Sequence, residues 1–497
     1  MEVYKIMTQS AIQKTNFNDF YKFKSKPYKH QFDVWLRSRD EENFALFMEM
    51  GTGKSKVAID TFAYLYDEGK IDSVLLIAPK GVYRNWIDRE IPKHLPDHIR
   101  YTSAVWTAAK SKTKICELNC LLKGGYDLRI LVMNVEAFST GGGKAYASKF
   151  VNSGKCFITV DESTTIKNHS ASRTKAILSI GLQAKYKRIL SGLPVTNSPM
   201  DLYSQCKFLD EYLLGYSSYY SFRNRYAITQ KMNLGGRGFT KVVGYQRLNE
   251  LETLIKPFSE RTRKIECLDL PDKVYETVHV HMPKEQQKHY DTMRQQAIAV
   301  LEEGECAPVN VLSQLIRLHQ IACGHVVVED GTIIRTSNFR LNVLTDIIED
   351  LPNDSKVIIW ATYRDDIRVI VEELQEIYGK KSVVEYHGGV KDADRTHAIE
   401  SFQSTLSSFR FFVGNPQTGG MGITLTASST VIYYSNTYNL EDRIQSEDRA
   451  HRIGQTNKVT YIDLICPNTV DEKIVNSLRN KKSVASNVLG DQWRNWI

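Results

Sequence analysis

The stretch M-E-M-G-T-G-K-S, residues 48–55, follows the apolar run F-A-L-F at 44–47 and precedes a helix-patterned run at 56–66. Strand, tight glycine turn and helix start form the context in which such a stretch cradles phosphate. Gly51 and Gly53 let backbone N–H groups point into one concavity without interference from a Cβ. The helix beginning at Lys54 adds its positive dipole end. Lys54 can then reach the β/γ-phosphates and the Ser55 hydroxyl can hold Mg²⁺. The general pattern asks for glycine where this chain has Met48. On these residues alone, a glycine turn ahead of an ordinary helix is the plain alternative.

A chain of 497 residues has room for two or three domains, each with its own core. With 42% hydrophobic and 25% charged residues the composition is that of a globular protein. No apolar run reaches membrane-span length, and the first residues lack a signal-peptide apolar region, so no membrane partner and an intracellular location are expected. The eight cysteines are scattered without zinc-ligand spacing and read as buried or inert thiols. The net charge of +8 permits a polyanionic partner without requiring one.

Residues 1–26 read as an extension. The spacing of Phe32, Trp35 and Leu36 is helical, and Gln31 beside them offers an amide that matches an adenine edge, although on these residues alone a surface glutamine is the stronger reading. Nearly continuous apolar runs at 74–78, 130–133, 156–160 and 188–190, separated by helix-capable segments, predict strands covered on both faces, hence a parallel α/β sheet. The third run ends in Asp161-Glu162-Ser163-Thr164. Adjacent carboxylates at a strand's C-terminal end, in the same sheet as a phosphate loop, divide their roles: Asp161 for Mg²⁺, Glu162 for the attacking water. The fourth run leads into Ser191-Gly192-Leu193-Pro194-Val195-Thr196-Asn197, a relay to a second ligand or simply a turn. Residues 200–262, rich in Tyr and Phe, read as a helical insertion with a flexible tip at Gly235-Gly236-Arg237-Gly238. The charged stretch 261–264 and Leu270-Pro271 read as the passage to a second α/β series, with strands at 356–361, 382–386, 411–413, 431–434 and 459–465 and no second phosphate loop. Residues 284–340 read as helical. Near the end, Arg449 and Arg452 stand three apart on one predicted helical face, where two guanidinium groups repel unless an anion lies between them; a pair of surface salt bridges is the alternative.

Taken together, these motifs resemble the Swi/Snf family of DNA translocases in helicase superfamily two. That family writes its first motif close to D-E-M-G-L-G-K-T. Asp161 to Thr164 stand where it has D-E-x-x; residues 191–197 resemble S-G-T-P-I-Q-N; residues 419–425, G-G-M-G-I-T-L, resemble G-G-L-G-I-N-L; and residues 445–455, Q-S-E-D-R-A-H-R-I-G-Q, resemble Q-x-x-D-R-A-H-R-I-G-Q. The stretch from Pro79-Lys80 to Asn85-Trp86 resembles the motif ending in N-W. Ser163-Thr164 and Thr424 depart from the family's usual residues.

The resemblance implies two tandem RecA-like parallel-sheet lobes with helical insertions: lobe 1 at 27–265, with its insertion at 200–262, and lobe 2 at 266–497, with its insertion at 284–340. It implies ATP and Mg²⁺, with Gln31 on adenine; Met50, Gly51, Thr52, Gly53, Lys54 and Ser55 around the phosphates; Ser55 and Asp161 on the metal; Glu162 on the water; and Gly422, Arg449 and Arg452 brought to the γ-phosphate from the second lobe. Lys80, Trp86, Ser191, Thr426 and Gln445 are expected to grip a nucleic-acid backbone. The implied activity is ATP-dependent movement along DNA, double-stranded favoured, with a strand-separating or branch-migrating helicase as the alternative and an RNA helicase or inactive scaffold further off. A motor without appended modules suggests a bacterial or phage source.

Overall fold

A computed structural model of the chain describes residues 20–80, 82–108, 111–123, 125, 127–234, 237–302, 308–327, 331–419 and 423–489. They form two compact units, one chiefly of residues up to 226 with 247–268, the other chiefly of 227–246 with 269–487.

The first unit is built on strands β1 (Asn43–Met48), β2 (Ser73–Ala78), β3 (Tyr101–Val105), β4 (Leu128–Asn134), β5 (Cys156–Asp161) and β6 (Tyr186–Leu190). A two-stranded ribbon, β7 (Ala227–Leu234) and β8 (Arg237–Tyr245), follows, and β9 (Ser259–Thr262) then returns to the first sheet. The strand order is β3-β4-β2-β5-β6-β1-β9, and every pairing is parallel. Every residue of β2 and β5 is buried, which is what a strand covered by helices on both faces requires. The charged stretch at 261–264, expected at a passage between lobes, begins inside β9, which pairs with β1.

The second unit holds β10 (Lys273–His279), β13 (Val357–Trp360), β14 (Val383–Tyr386), β15 (Phe411–Gly414), β16 (Thr430–Tyr433) and β17 (Val459–Ile465) in the order β10-β17-β16-β13-β15-β14, again all parallel; a small hairpin, β11 (His325–Val327) with β12 (Ile333–Arg335), stands apart. Alternate residues of β13 divide between two cores: Val357 and Ile359 join one, Ile358 and Trp360 the other. The two RecA-like lobes and their helical insertions are therefore present. The first insertion has helices Tyr219–Tyr226 and Leu248–Ile255 in its flanks, but the segment read as a flexible tip is a β-ribbon; Gly235 and Gly236 lie outside the described residues. Residues 1–19 of the N-terminal extension also lie outside them, whereas Phe23, at the extension's end, packs into the first core with Phe32 and Trp35. Cys116 and Cys120, read as buried or inert, are exposed free thiols. Among the described residues no helix is long and apolar enough to cross a membrane.

Candidate active site

Because the sheet of the first unit is parallel, β1, β5 and β6 end on the same edge, and their C-terminal ends carry the glycine turn, the carboxylate pair and Ser191 side by side. Gly51 and Gly53 have φ of 85° and 97°, so the turn needs residues without a Cβ. At Gly53 a Cβ would sit 2.2 Å from Gln31 Nε2. Gln31 itself is buried on the turn: its Nε2 donates to the Thr52 carbonyl (3.1 Å) and its Oε1 accepts from the Tyr28 N–H (3.0 Å). His30 Nε2 also bonds the Thr52 carbonyl, at 2.8 Å, while the Thr52 hydroxyl donates to the Glu49 carbonyl. The turn is thus clamped from the helix Lys29–Ser38. On its other side Glu49 accepts from Arg261 (3.1 Å) and from the Lys264 N–H (2.9 Å).

Lys54 and Ser55 open the helix Lys54–Asp67. Asp161, buried at the end of β5, takes the Trp86 indole N–H on Oδ2 (2.9 Å) and the Glu162 N–H on Oδ1 (3.0 Å). Burial pushes the Asp161 carboxyl above the usual Asp value, and the Lys54 ammonium, the indole and the Glu162 N–H pull it back. Glu162 has φ 46° and ψ 63°, a left-handed conformation that costs a residue with a Cβ about 1–2 kcal/mol. Such strain persists where the surroundings impose it.

Two residues expected on a nucleic-acid grip are inside instead. Trp86, only 1% exposed, opens a π-helical turn (Trp86–Glu90) and spends its indole on Asp161. Ser191, also 1% exposed, accepts the Leu193 N–H. Lys80 is exposed just beyond β2. The relay from the carboxylates to the loop at 191–197 runs through residues the sequence reading passed over. The Ser163 hydroxyl donates to Gln205 Oε1 (2.6 Å), and Gln205 Nε2 donates to the Pro194 carbonyl (2.7 Å). Asp201 Oδ2 gathers the Thr196 hydroxyl and the N–H groups of Thr196 and Asn197 at 2.8–2.9 Å, and Lys167 donates to the Thr196 hydroxyl.

In the second unit the helix Leu440–Ala450 carries Gln445 and Arg449 but ends before Arg452, so the two arginines do not share a helical face. They converge all the same: Arg449 and Arg452 each donate to the Ile423 carbonyl, at 3.2 and 3.1 Å. Gln455 Nε2 ties this segment to the Ser428 carbonyl (2.9 Å). Thr426 accepts from Gln403, and Gln445 donates to Glu441. Gly422 lies outside the described residues. The His325, Asp365 and Asp366 side chains converge elsewhere in this unit, but Arg335 pairs with both carboxylates (2.8 and 3.2 Å), which makes the group an ion-pair network.

A family model described as SNF2-related domain matches residues 28–326, and one described as helicase conserved C-terminal domain matches 340–454. Similar curated proteins include the uncharacterized ATP-dependent helicase MG018 of Mycoplasma genitalium, 26% identical over 93% of this chain and 42% of its own length. The putative ATP-dependent helicase/translocase YwqA of Bacillus subtilis is 25% identical over 100% of this chain and 52% of its own. The human DNA annealing helicase and endonuclease ZRANB3 is 26% identical over 89% of this chain and 38% of its own. The chain thus spans about half, or less, of the length of these relatives, which come from bacteria and an animal and do not single out a bacterial or phage source. Among solved structures, the Sulfolobus solfataricus SWI2/SNF2 ATPase core in complex with dsDNA is 25% identical, with 95% of each chain covered and a TM-score of 0.42.

Proposed function

Because the chain belongs to the SNF2-related domain family of helicase-type ATPases, we propose that it is a motor that couples Mg-ATP hydrolysis to movement along DNA, with duplex DNA as its track. Domains of this type use a nucleotide and a divalent metal generally. The observation that carries the finer reading is the meeting, on one sheet edge, of the glycine turn and a buried carboxylate held by an indole N–H.

The donor set fits Mg²⁺: the Ser55 hydroxyl and the Asp161 carboxylate are hard oxygen ligands. When bound, the metal neutralises phosphate charge. The backbone from Met50 to Gly53 and the Lys54 ammonium hold the phosphates. Gln31, already bonded on both amide ends, keeps one N–H and one lone pair for adenine. Glu162 orients and deprotonates the attacking water, and Arg449 and Arg452 take up charge on the phosphoryl group, a role worth on the order of 10³-fold or more in such enzymes. Lys80, Thr426 and Gln445 remain assigned to the DNA backbone; Trp86 and Ser191 are reassigned to positioning Asp161 and the loop at 191–197. The +8 charge suits a polyanion, and the relatives named as DNA annealing helicase and helicase/translocase point to the same class of partner.

The test is ATP turnover at fixed low salt with no nucleic acid, single-stranded, duplex or branched DNA, or RNA, with Lys54→Ala as blank. Stimulation by duplex DNA, abolished in Lys54→Ala and in Arg452→Ala with folding intact, is expected. Preference for branched or single-stranded DNA moves the reading to an unwinding helicase. Stimulation by RNA alone overturns the partner, and near-normal turnover in either variant overturns that residue's role.

A further inference from the structure

The ribbon β7–β8 is the longer of the two antiparallel hairpins among the described residues. Its strands pair from Ala227↔Tyr245 to Leu234↔Arg237, with a bulge between Ile228 and Thr229. At about 3.3 Å per residue it is roughly 25 Å long. Ile228, Met232 and Val243 are 46%, 38% and 52% exposed, and Thr229, Gln230, Lys231, Thr240 and Lys241 are exposed as well, so both faces are open over residues 228–232. A bare two-stranded hairpin is marginal in water and gains stability from whatever covers it. The sequence says what that is: Lys231, Arg237, Lys241 and Arg247 fall between Tyr226 and Glu250 with no Asp or Glu among them.

Register adds geometry to charge. Lys241 stands opposite Gln230, and Lys231 opposite Thr240; Gln230 and Lys231 are neighbours on one strand, so the two lysines leave from opposite faces. A surface grip on one phosphate strand would gather its cations on one face. Cations on both faces fit a ribbon that stands between two phosphate walls. The major groove of B-form DNA admits a two-stranded ribbon, and the bulge raises the twist that such a fit needs.

We infer that the β7–β8 ribbon is a duplex-DNA contact that enters the major groove, with Lys231 and Lys241 each reaching one of the two flanking backbones. This rests on the DNA-motor reading and adds to it a contact outside the motifs named above.

The test uses the full chain and a fluorescent B-form duplex, with binding titrated at several salt concentrations. Each lost phosphate contact removes about 0.9 from the slope of log K against log salt. Lys231→Ala with Lys241→Ala is expected to weaken binding about tenfold and to flatten the slope by nearly two, with the thermal unfolding midpoint unchanged. The charge reversal Lys231→Glu with Lys241→Glu is expected to weaken it further. Wild-type affinity and slope in both double variants overturn the inference while duplex-stimulated ATP turnover in the wild type keeps the motor standing. A wild type that neither binds nor responds to duplex DNA overturns both. A loss seen on A-form RNA duplex and not on DNA overturns the groove assignment, because the deep, narrow groove of RNA does not admit a ribbon.

Discussion

Trp86 shows how one side chain sets the state of another. The Asp161 carboxylate sits where burial disfavours charge, and the indole N–H is one of the few groups opposing that. Trp86→Phe keeps most of the ring volume and removes the donor. A hydrogen bond to a charged group contributes about 1.5–3 kcal/mol, so a fall of tenfold or more in kcat is expected with little change in the unfolding midpoint. Steady-state ATP turnover checks this, and full activity would mean that the indole merely fills space. The sequence marked Trp86 as part of a motif but not which way it faces. The resemblance placed it on the nucleic-acid grip, and only the fold reveals a carboxylate 75 positions away as its partner. The same reason hid Gln205, Asp201 and Arg261, whose partners lie in other elements. By contrast, the positions of Lys54, Asp161 and Glu162 were legible, because they follow from short-range context, a strand end and a glycine turn. Arg452 is an intermediate case: its meeting with Arg449 was legible, but not that the helix stops at Ala450 and that a shared carbonyl brings them together.

The elements were readable in proportion to their burial. Runs such as residues 74–78 and 411–413 gave β2 and β15 almost to the residue, since a strand covered on both faces has no freedom to be polar. β3 and β9, partly exposed and mixed in composition, left no such trace, and the Gly-rich sequence at 235–238 hid the alternation on either side of it. Within the helix Lys54–Asp67 a further feature follows from the helical period: Lys56 and Asp60, four apart and both buried, form a 2.7 Å ion pair. Burial pushes Asp60 up to about 7 in spite of Lys56, and its Oδ1 accepts no hydrogen bond from the described residues. A folded pKa above the unfolded value of about 3.9 means no penalty below pH 4, a penalty that grows as pH rises to about 7, and a constant one above. Lys56→Met deprives the ionised form of its partner. At pH 5, where Asp60 is neutral in the fold, the variant is expected to unfold near the wild-type temperature; at pH 8, one unit above the folded value of about 7, Asp60 can stay protonated in the variant and the deficit is expected to reach at most about 1.4 kcal/mol. Thermal melts at the two pH values decide it, and an equal deficit at both would show that the pair acts through packing alone.

At the scale of a whole lobe, the second unit is tied together by one buried cation. Arg340, fully buried in the helix Phe339–Glu349, donates to the Tyr434 carbonyl at the end of β16 (2.5 Å), to Cys466 Sγ beyond β17 (3.2 Å) and to Asp471 in the helix Val470–Leu489. Asp471 also pairs with His319 of the helix Pro308–Ala322 at 3.0 Å and accepts the Cys466 N–H. Three helices and the ends of two central strands therefore meet on a single ion pair, so its loss is felt across the sheet rather than at one site. The Arg340 guanidinium and His319 hold Asp471 down at about 2, against the desolvation that would raise it. Its depressed value contributes stability that is complete above the unfolded pKa of about 3.9 and is lost as pH falls towards 2; for a shift of this size the full contribution is about 2.6 kcal/mol, and about half of it is left at pH 3. Asp471→Asn leaves Arg340 buried without a counter-ion, so at pH 7 a deficit of about 3–5 kcal/mol is expected in urea unfolding. Because the wild type loses its own advantage in acid and the variant has none to lose, the deficit should shrink by roughly 1–1.5 kcal/mol at pH 3. A deficit that stays constant between pH 7 and pH 3 would place the worth of Asp471 in its shape and hydrogen bonds rather than its charge, and Arg340 would then be held chiefly by the Tyr434 carbonyl and Cys466 Sγ.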